Sequence, residues 1–252
     1  MDEGGRPRTD YGETWTYESI VGALPGIDLR ESEAIALQVV LFEVGLLLLA
    51  WYEGLWSAVA PGTAAVAVAA VGSVAMLRVG RTVRRLPLPV AYRRLLFGSS
   101  IEVVLSVLAF VALVVHLFVF DPSRPGTPLL ERLFGPEPSL VVVYLTLLVL
   151  WDLCYRIGTS WWLAVVSLWR SVRFTFDPET VDALRRIDAT NVAFAFAQVA
   201  LVPFLLSEPV LLTAVLGHVA AVAVVSVAAT VTLRRASEDR EEDEGESAAA
   251  GE

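Results

Sequence analysis

Residues 34–79 read AIALQVVLFEVGLLLLAWYEGLWSAVAPGTAAVAVAAVGSVAMLRV, and this stretch decides the fold. It holds two apolar runs, 34–52 and 56–79, parted only by Glu53, Gly54 and Leu55. A helix needs roughly 20 apolar residues to cross a hydrocarbon layer, and both runs have about that length. So short a link makes them an antiparallel helical hairpin. Trp51, Tyr52 and Trp56 gather at its turn, as aromatic rings do at a membrane interface. The second run is built of small residues. Ala65, Ala69 and Ser73 fall four apart, with Gly62 and Gly72 beside them. Such faces let helix backbones approach closely, within one subunit or across a dimer interface.

Working outward, the same pattern repeats at 100–120, 139–157, 191–206 and 210–233. The reading is an all-α polytopic membrane helix bundle of six transmembrane helices plus interfacial helices. The chain has 252 residues, 56% of them apolar, which leaves one membrane domain (34–233) and no second globular unit. Residues 1–33 read as a cytoplasmic tail. Within it Trp15, Tyr17, Ile20, Val21 and Leu24 form a weak amphipathic patch suited to the membrane surface. The start of the chain has no basic segment leading into an apolar one, so no cleaved signal peptide is expected and the first span is retained.

Arginine sets the direction of threading. All 19 basic residues are Arg. With the N-terminus inside, the inner segments hold three (tail), six (78–94), five (156–186) and three (C-terminal tail); the outer loops hold only Arg124 and Arg132. A bias of this kind orients helices, and both termini are expected in the cytoplasm of a cell that carries the protein in its plasma membrane. Pro87 and Pro89 break the 78–98 segment, so it is not one helix.

The stretch 159–176 is ambiguous. Its apolar run is short for a span, and Trp161, Trp162 and Trp169 suit a helix lying in the interface. The expectation is interfacial and cytoplasmic helices over 159–188. A seventh crossing would place Arg234 and Arg235 outside. Asp177-Pro178-Glu179 reads as a capped helix start. Val181, Leu184 and Ile187 make one apolar stripe after it, and Pro203 bends the short fifth span.

The tail 234–252 is acidic. Eight carboxylates fall between Ala236 and Glu252, and the net charge is −9. An acidic, lysine-free, Val/Ala/Arg-rich chain resembles the proteins of halophilic archaea. By composition alone it resembles an uncharacterised multi-pass membrane protein family of those organisms. That resemblance covers the style of the chain, implies a solvated, disordered tail, and implies no activity.

Polar groups inside spans are few. Each costs on the order of 2.5–3.5 kcal/mol if a charge faces lipid, so each is expected to face protein or water. Glu43 sits at mid-span in the first helix, with no basic residue at its depth. That is the chemistry of a proton or cation relay, or of a carboxylic acid hydrogen-bonded to a neighbouring helix, with Gln198 as a partner. Asp152 and Arg156 are four apart on one helix face and able to pair. Glu102 lies at the depth of Arg156, so a Glu102–Arg156–Asp152 cluster at the inner mouth is allowed, as a packing lock or a gate. His116 and His218 lie toward the outer side of two different spans, with no HExxH spacing; they read as packing groups, and no metal site is assigned. Arg78, Arg81, Arg84, Arg85, Arg93 and Arg94 set topology or hold lipid headgroups.

The single Cys154 excludes an internal disulfide and a cysteine metal cluster. No catalytic residue and no cofactor are assigned. Signatures of intramembrane proteases and phosphate-binding loops are absent, and a retinal Schiff base is impossible without lysine. The reading is a structural or accessory component of a membrane complex. The alternative is a small transporter or channel using Glu43. The expected partners are membrane lipids and another membrane protein or a second copy, with no nucleic acid.

Overall fold

The computed structural model describes Thr14, Trp15 and residues 30–249, which are mostly helical with no strand among them. Helix α1 is Glu31–Glu53. It ends at Gly54, whose φ of 74° is the left-handed geometry that glycine accepts without cost. A 3-10 turn, Trp56–Ala58, leads into α2, Val59–Arg85. Pro87 and Pro89 then interrupt the chain before α3, Val90–Gly98, as the sequence predicts. Helix α4, Ile101–Val115, widens into a π turn at His116–Phe120.

The proline-rich loop contains a short helix, α5, Leu129–Phe134, that the sequence did not announce. Helix α6 is Leu140–Arg173, capped by Ser139. Helix α7 is Pro178–Ala197. It tightens into a 3-10 turn at Gln198–Leu201 before α8, Val202–Leu205. Pro203 lacks an N–H and its ring crowds the carbonyl four residues earlier, which explains the break there. Helix α9 is Pro209–Ala249.

Six helical segments are long and apolar enough to cross a membrane: Ser32–Glu53, Trp56–Arg85, Val90–Ser123, Leu140–Arg173, Pro178–Leu205 and Pro209–Arg235. The protein is therefore an all-α bundle of membrane-spanning helices. Three boundaries differ from expectation. The fourth span and the stretch 159–173 form one 34-residue helix, with no separate helix lying in the interface. At 1.5 Å per residue it is about 51 Å long, well beyond a hydrocarbon core of roughly 30 Å. Its extension is packed inside the molecule, with Leu163, Ala164 and Val166 fully buried. The stripe of Val181, Leu184 and Ile187 is likewise buried, on a helix that runs unbroken into the fifth span. The last helix continues to Ala249, where an unstructured tail was expected; Glu, Arg and Ala all favour helix.

Most of the expected surface patch in the N-terminal tail lies outside the described residues. Trp15 does not sit on a surface. It is 2% exposed, donates its indole N–H to the Met76 carbonyl at 3.2 Å, and meets Phe97 edge-on at 4.9 Å.

Packing is uneven along the bundle. At the end where the arginines collect, α2, α3, α6, α7 and α9 close around a core that includes Val79, Val83, Tyr92, Leu96, Leu163, Leu184 and Leu233. The small face of α2 serves this core within one subunit. A methyl group on Gly72 would sit 2.7 Å from the Phe194 ring and 3.0 Å from Arg156 Cβ. At the opposite end the helices stand apart. Val142 alone is buried in the first three turns of α6, and no residue from Val210 to His218 of α9 is.

Candidate functional site

Chemistry concentrates in three places. The first is the α1–α2 hairpin. Glu43 is half-buried, and Thr63 donates its hydroxyl to Glu43 Oε1 at 2.7 Å. The expected Gln198 partnership is not formed. Thr63 wins because it is on the adjacent hairpin helix, whereas Gln198 lies across the bundle on the fifth span. At the turn, Ser139 donates to Glu53 and ties the hairpin to α6.

The second place is the arginine end. Arg156 Nη2 lies 3.1 Å from Asp152 Oδ1, with both side chains about 95% buried, so the predicted i, i+4 pair is made. Glu102 is fully buried on α4. One turn beyond it, Ser106 donates to the Glu102 carbonyl and reaches the Tyr155 carbonyl at 3.3 Å. The backbones of α4 and α6 come so close here that a methyl group on Gly158 would strike the Ser106 backbone at 2.8 Å.

A larger polar hub, which spacing did not reveal, surrounds Arg170. Its Nη2 meets Asp188 Oδ2 at 2.7 Å and the Leu184 carbonyl at 3.3 Å. Its Nη1 donates to Tyr92 Oη at 3.1 Å and Ser167 Oγ at 3.0 Å. Thr230 on α9 adds a donor to Asp188 at 3.4 Å. One buried guanidinium thus joins α3, α6 and α7, and through Asp188 also α9. Nearby, Ser160 and Asn191 exchange two hydrogen bonds between α6 and α7, at 2.8 and 3.0 Å. The only advance signal was a run of polar residues, Ser160, Ser167 and Ser171, on a helix otherwise rich in Trp, Leu and Val. Of the six arginines singled out at 78–94, four are exposed, while Arg84 and Arg93 are half-buried.

The third place is a cavity of about 880 Å³ where the helices stand apart. All six spanning segments contribute to its wall. Most of the lining is apolar and much of it small, including Pro61, Gly62, Ala109, Ala112 and Ala214. Three polar residues singled out in the sequence line it: His116, Gln198 and His218. Gln198 is fully buried and His116 is 8% exposed. Among the described residues, His116 Nε2, His218 Nε2 and both polar atoms of the Gln198 carboxamide find no hydrogen-bond partner. Glu43 does not line the cavity.

Helix α5 covers this cavity at the loop side, with Leu129, Arg132, Leu133 and Phe134 in its lining. It is pinned three ways. Ser57 donates to the Leu133 carbonyl at 2.9 Å, the Leu129 N–H donates to Asp121 at 2.7 Å, and Arg132 pairs with the buried Glu208. Among the described residues, no three His, Cys, Asp or Glu side chains come together as a metal site.

The fold and these sites define a multi-helix membrane protein with a polar hub at one end and an apolar cavity at the other. The chain belongs to a family of unknown function, DUF7530, whose model matches residues 10–229. The match starts before Trp15 and stops at Ala229, so it spans the bundle and leaves the acidic extension outside. No curated protein and no solved structure matches the chain.

Proposed function

We propose that this protein is an accessory component of a membrane complex, held in the plasma membrane with both termini in the cytoplasm. The observation that carries the reading is Glu43 on α1. Only 6% of the apolar window of α1 is buried by its own chain, less than in any other span. Leu37, Val40, Leu41, Val44 and Leu48 of that helix are exposed. In their midst a carboxyl is only half covered, and facing lipid costs a charge on the order of 2.5–3.5 kcal/mol. A neighbouring membrane subunit laid against α1 removes that cost.

The alternative is a small transporter or channel that relays through Glu43. It needs a water path to that carboxyl, and the large cavity does not include Glu43. The placement of the termini rests on the arginine asymmetry between loops. The acidic, lysine-free composition supports a halophilic archaeal source.

The test is affinity purification in mild detergent at high salt, followed by mass spectrometry of the intact assembly. A foreign subunit at fixed stoichiometry, cross-linked through a cysteine placed at Val44, is the expected result. A lone chain or a homo-oligomer with α1 unshielded overturns the accessory reading and turns attention to ion flux in Glu43→Gln.

A further inference from the structure

Well-packed interiors leave few voids larger than a water molecule, whereas pockets for small ligands occupy roughly 300–1,000 Å³. The cavity of about 880 Å³ in the loop half belongs to the second class by size. Its wall is apolar over most of its extent, which selects an apolar occupant. Four polar atoms on three lining residues break that surface: His116 Nε2, His218 Nε2, and the nitrogen and oxygen of Gln198. Leaving buried polar atoms unbonded is destabilising, so four around one cavity mark a place where a partner's polar group is expected.

The backbone adds a second sign. His116 opens the π turn that ends α4, and no proline lies within that turn. Such π turns recur at functional positions. Gln198 also stands at an irregular turn, the 3-10 break that Pro203 imposes, so two of the three polar side chains lie where the helix departs from α geometry.

The charge pattern narrows the ligand. Among the described lining residues, Arg132 is the one permanently charged side chain, and its guanidinium is held by Glu208. None of them is a carboxylate. Neutral imidazole and carboxamide groups both donate and accept hydrogen bonds, which suits a hydroxyl or carbonyl.

We propose that this cavity binds an uncharged amphiphile whose apolar body fills the loop half of the bundle and whose hydroxyl or carbonyl end bonds to His116, Gln198 and His218. Helix α5 closes over it. This site is separate from the α1 surface on which the accessory reading rests, and either proposal can fail without the other.

The experiment uses the full chain in lipid nanodiscs and two photoactivatable probes, a long-chain alcohol and the matching alkane, each bearing a diazirine. Labelled peptides are mapped by mass spectrometry. The alcohol is expected to label segments carrying Leu150, Leu201 and Ala214 about tenfold more than the alkane does, the difference made by one or two hydrogen bonds. The paired change Gln198→Leu with His218→Phe is expected to bring alcohol labelling down to the alkane level. Equal labelling by both probes, unmoved by that change, would mean an acyl chain from the bilayer and would overturn the proposal. Absence of labelling by either probe would mean a water-filled or collapsed space and would overturn it equally. Should the double variant not fold, Ala214→Phe, which fills the cavity from α9, carries the test: persistent labelling in that folded variant overturns the site.

Discussion

Arg170 Nη2 lies 2.7 Å from Asp188 Oδ2, and both side chains are at most 2% exposed. The contact joins α6 to α7, and the same guanidinium also engages Tyr92 on α3. Removing one partner of a buried ion pair leaves an uncompensated charge and typically costs about 3–5 kcal/mol. Arg170→Gln and Asp188→Asn are each expected to lose about that much. The double variant should lose clearly less than their sum, since neither charge is then stranded. Thermal unfolding in detergent, run as a double-mutant cycle, measures this. Strict additivity would show that the pair is not coupled.

Gly72 lies against Phe194 and Arg156 in a tightly packed part of the bundle. A methyl group there meets a buried ring, not the loose end of a flexible chain. Gly72→Ala is expected to destabilise by about 1–3 kcal/mol, the usual range for overpacking. Gly217→Ala is the control. Nothing stands within 4 Å of its added carbon, and it should leave the unfolding midpoint level or slightly raised.

The Arg132–Glu208 pair pins α5 over the cavity. Glu208 is 4% exposed while the Arg132 side chain is 36% exposed, so removing Arg132 strands a buried carboxylate and should loosen what the pair holds. Arg132→Gln should raise amide hydrogen exchange several-fold across Leu129–Phe134 and leave Val90–Gly98 unchanged. Unaltered exchange at α5 would mean that the Ser57 and Asp121 contacts suffice to hold it.

Asp177 caps α7. Its Oδ1 accepts the Thr180 backbone N–H at 2.9 Å, and that bond, followed by one from the Thr180 hydroxyl, holds the carboxyl below its ordinary value of 3.8. A carboxyl with a depressed folded value supports the fold fully above its unfolded value, and that support is lost as pH falls through the folded value. The Thr180 amide resonance should therefore hold steady at neutral pH and shift only below 3.8. In Asp177→Asn, which keeps a capping oxygen without titrating, the shift should vanish. A midpoint above 3.8 in the wild-type chain would contradict the cap.

How much could be read in advance differs from residue to residue. The Asp152–Arg156 pair was legible because both partners lie on one helix, where a spacing of four fixes proximity. The Asp177 cap and the break at Pro203 were legible for the same reason: their causes act within a few residues. The continuity of α6 was not legible. The pattern of Trp161, Trp162 and Trp169 resembles an interfacial helix, and only burial against α2, α3 and α7 shows that 159–173 extends the fourth span into the core. The partner of Glu43 was misassigned because depth along a span says nothing about which neighbour stands beside it.

The class of fold follows from the order of residues along the chain. Apolar runs of spanning length, separated by short turns and arginine clusters, admit one solution in which backbone groups are satisfied within each helix. Which polar residues meet is a matter of three-dimensional packing. His116, Gln198 and His218 lie on three different spans, and Arg170 reaches Asp188 across a turn. That the first three line one cavity, and that the last two pair, depends on how the helices rotate and splay. That is set by side-chain packing summed over the bundle, such as the close approach at Gly72 and Gly158, and no local spacing in the chain records it.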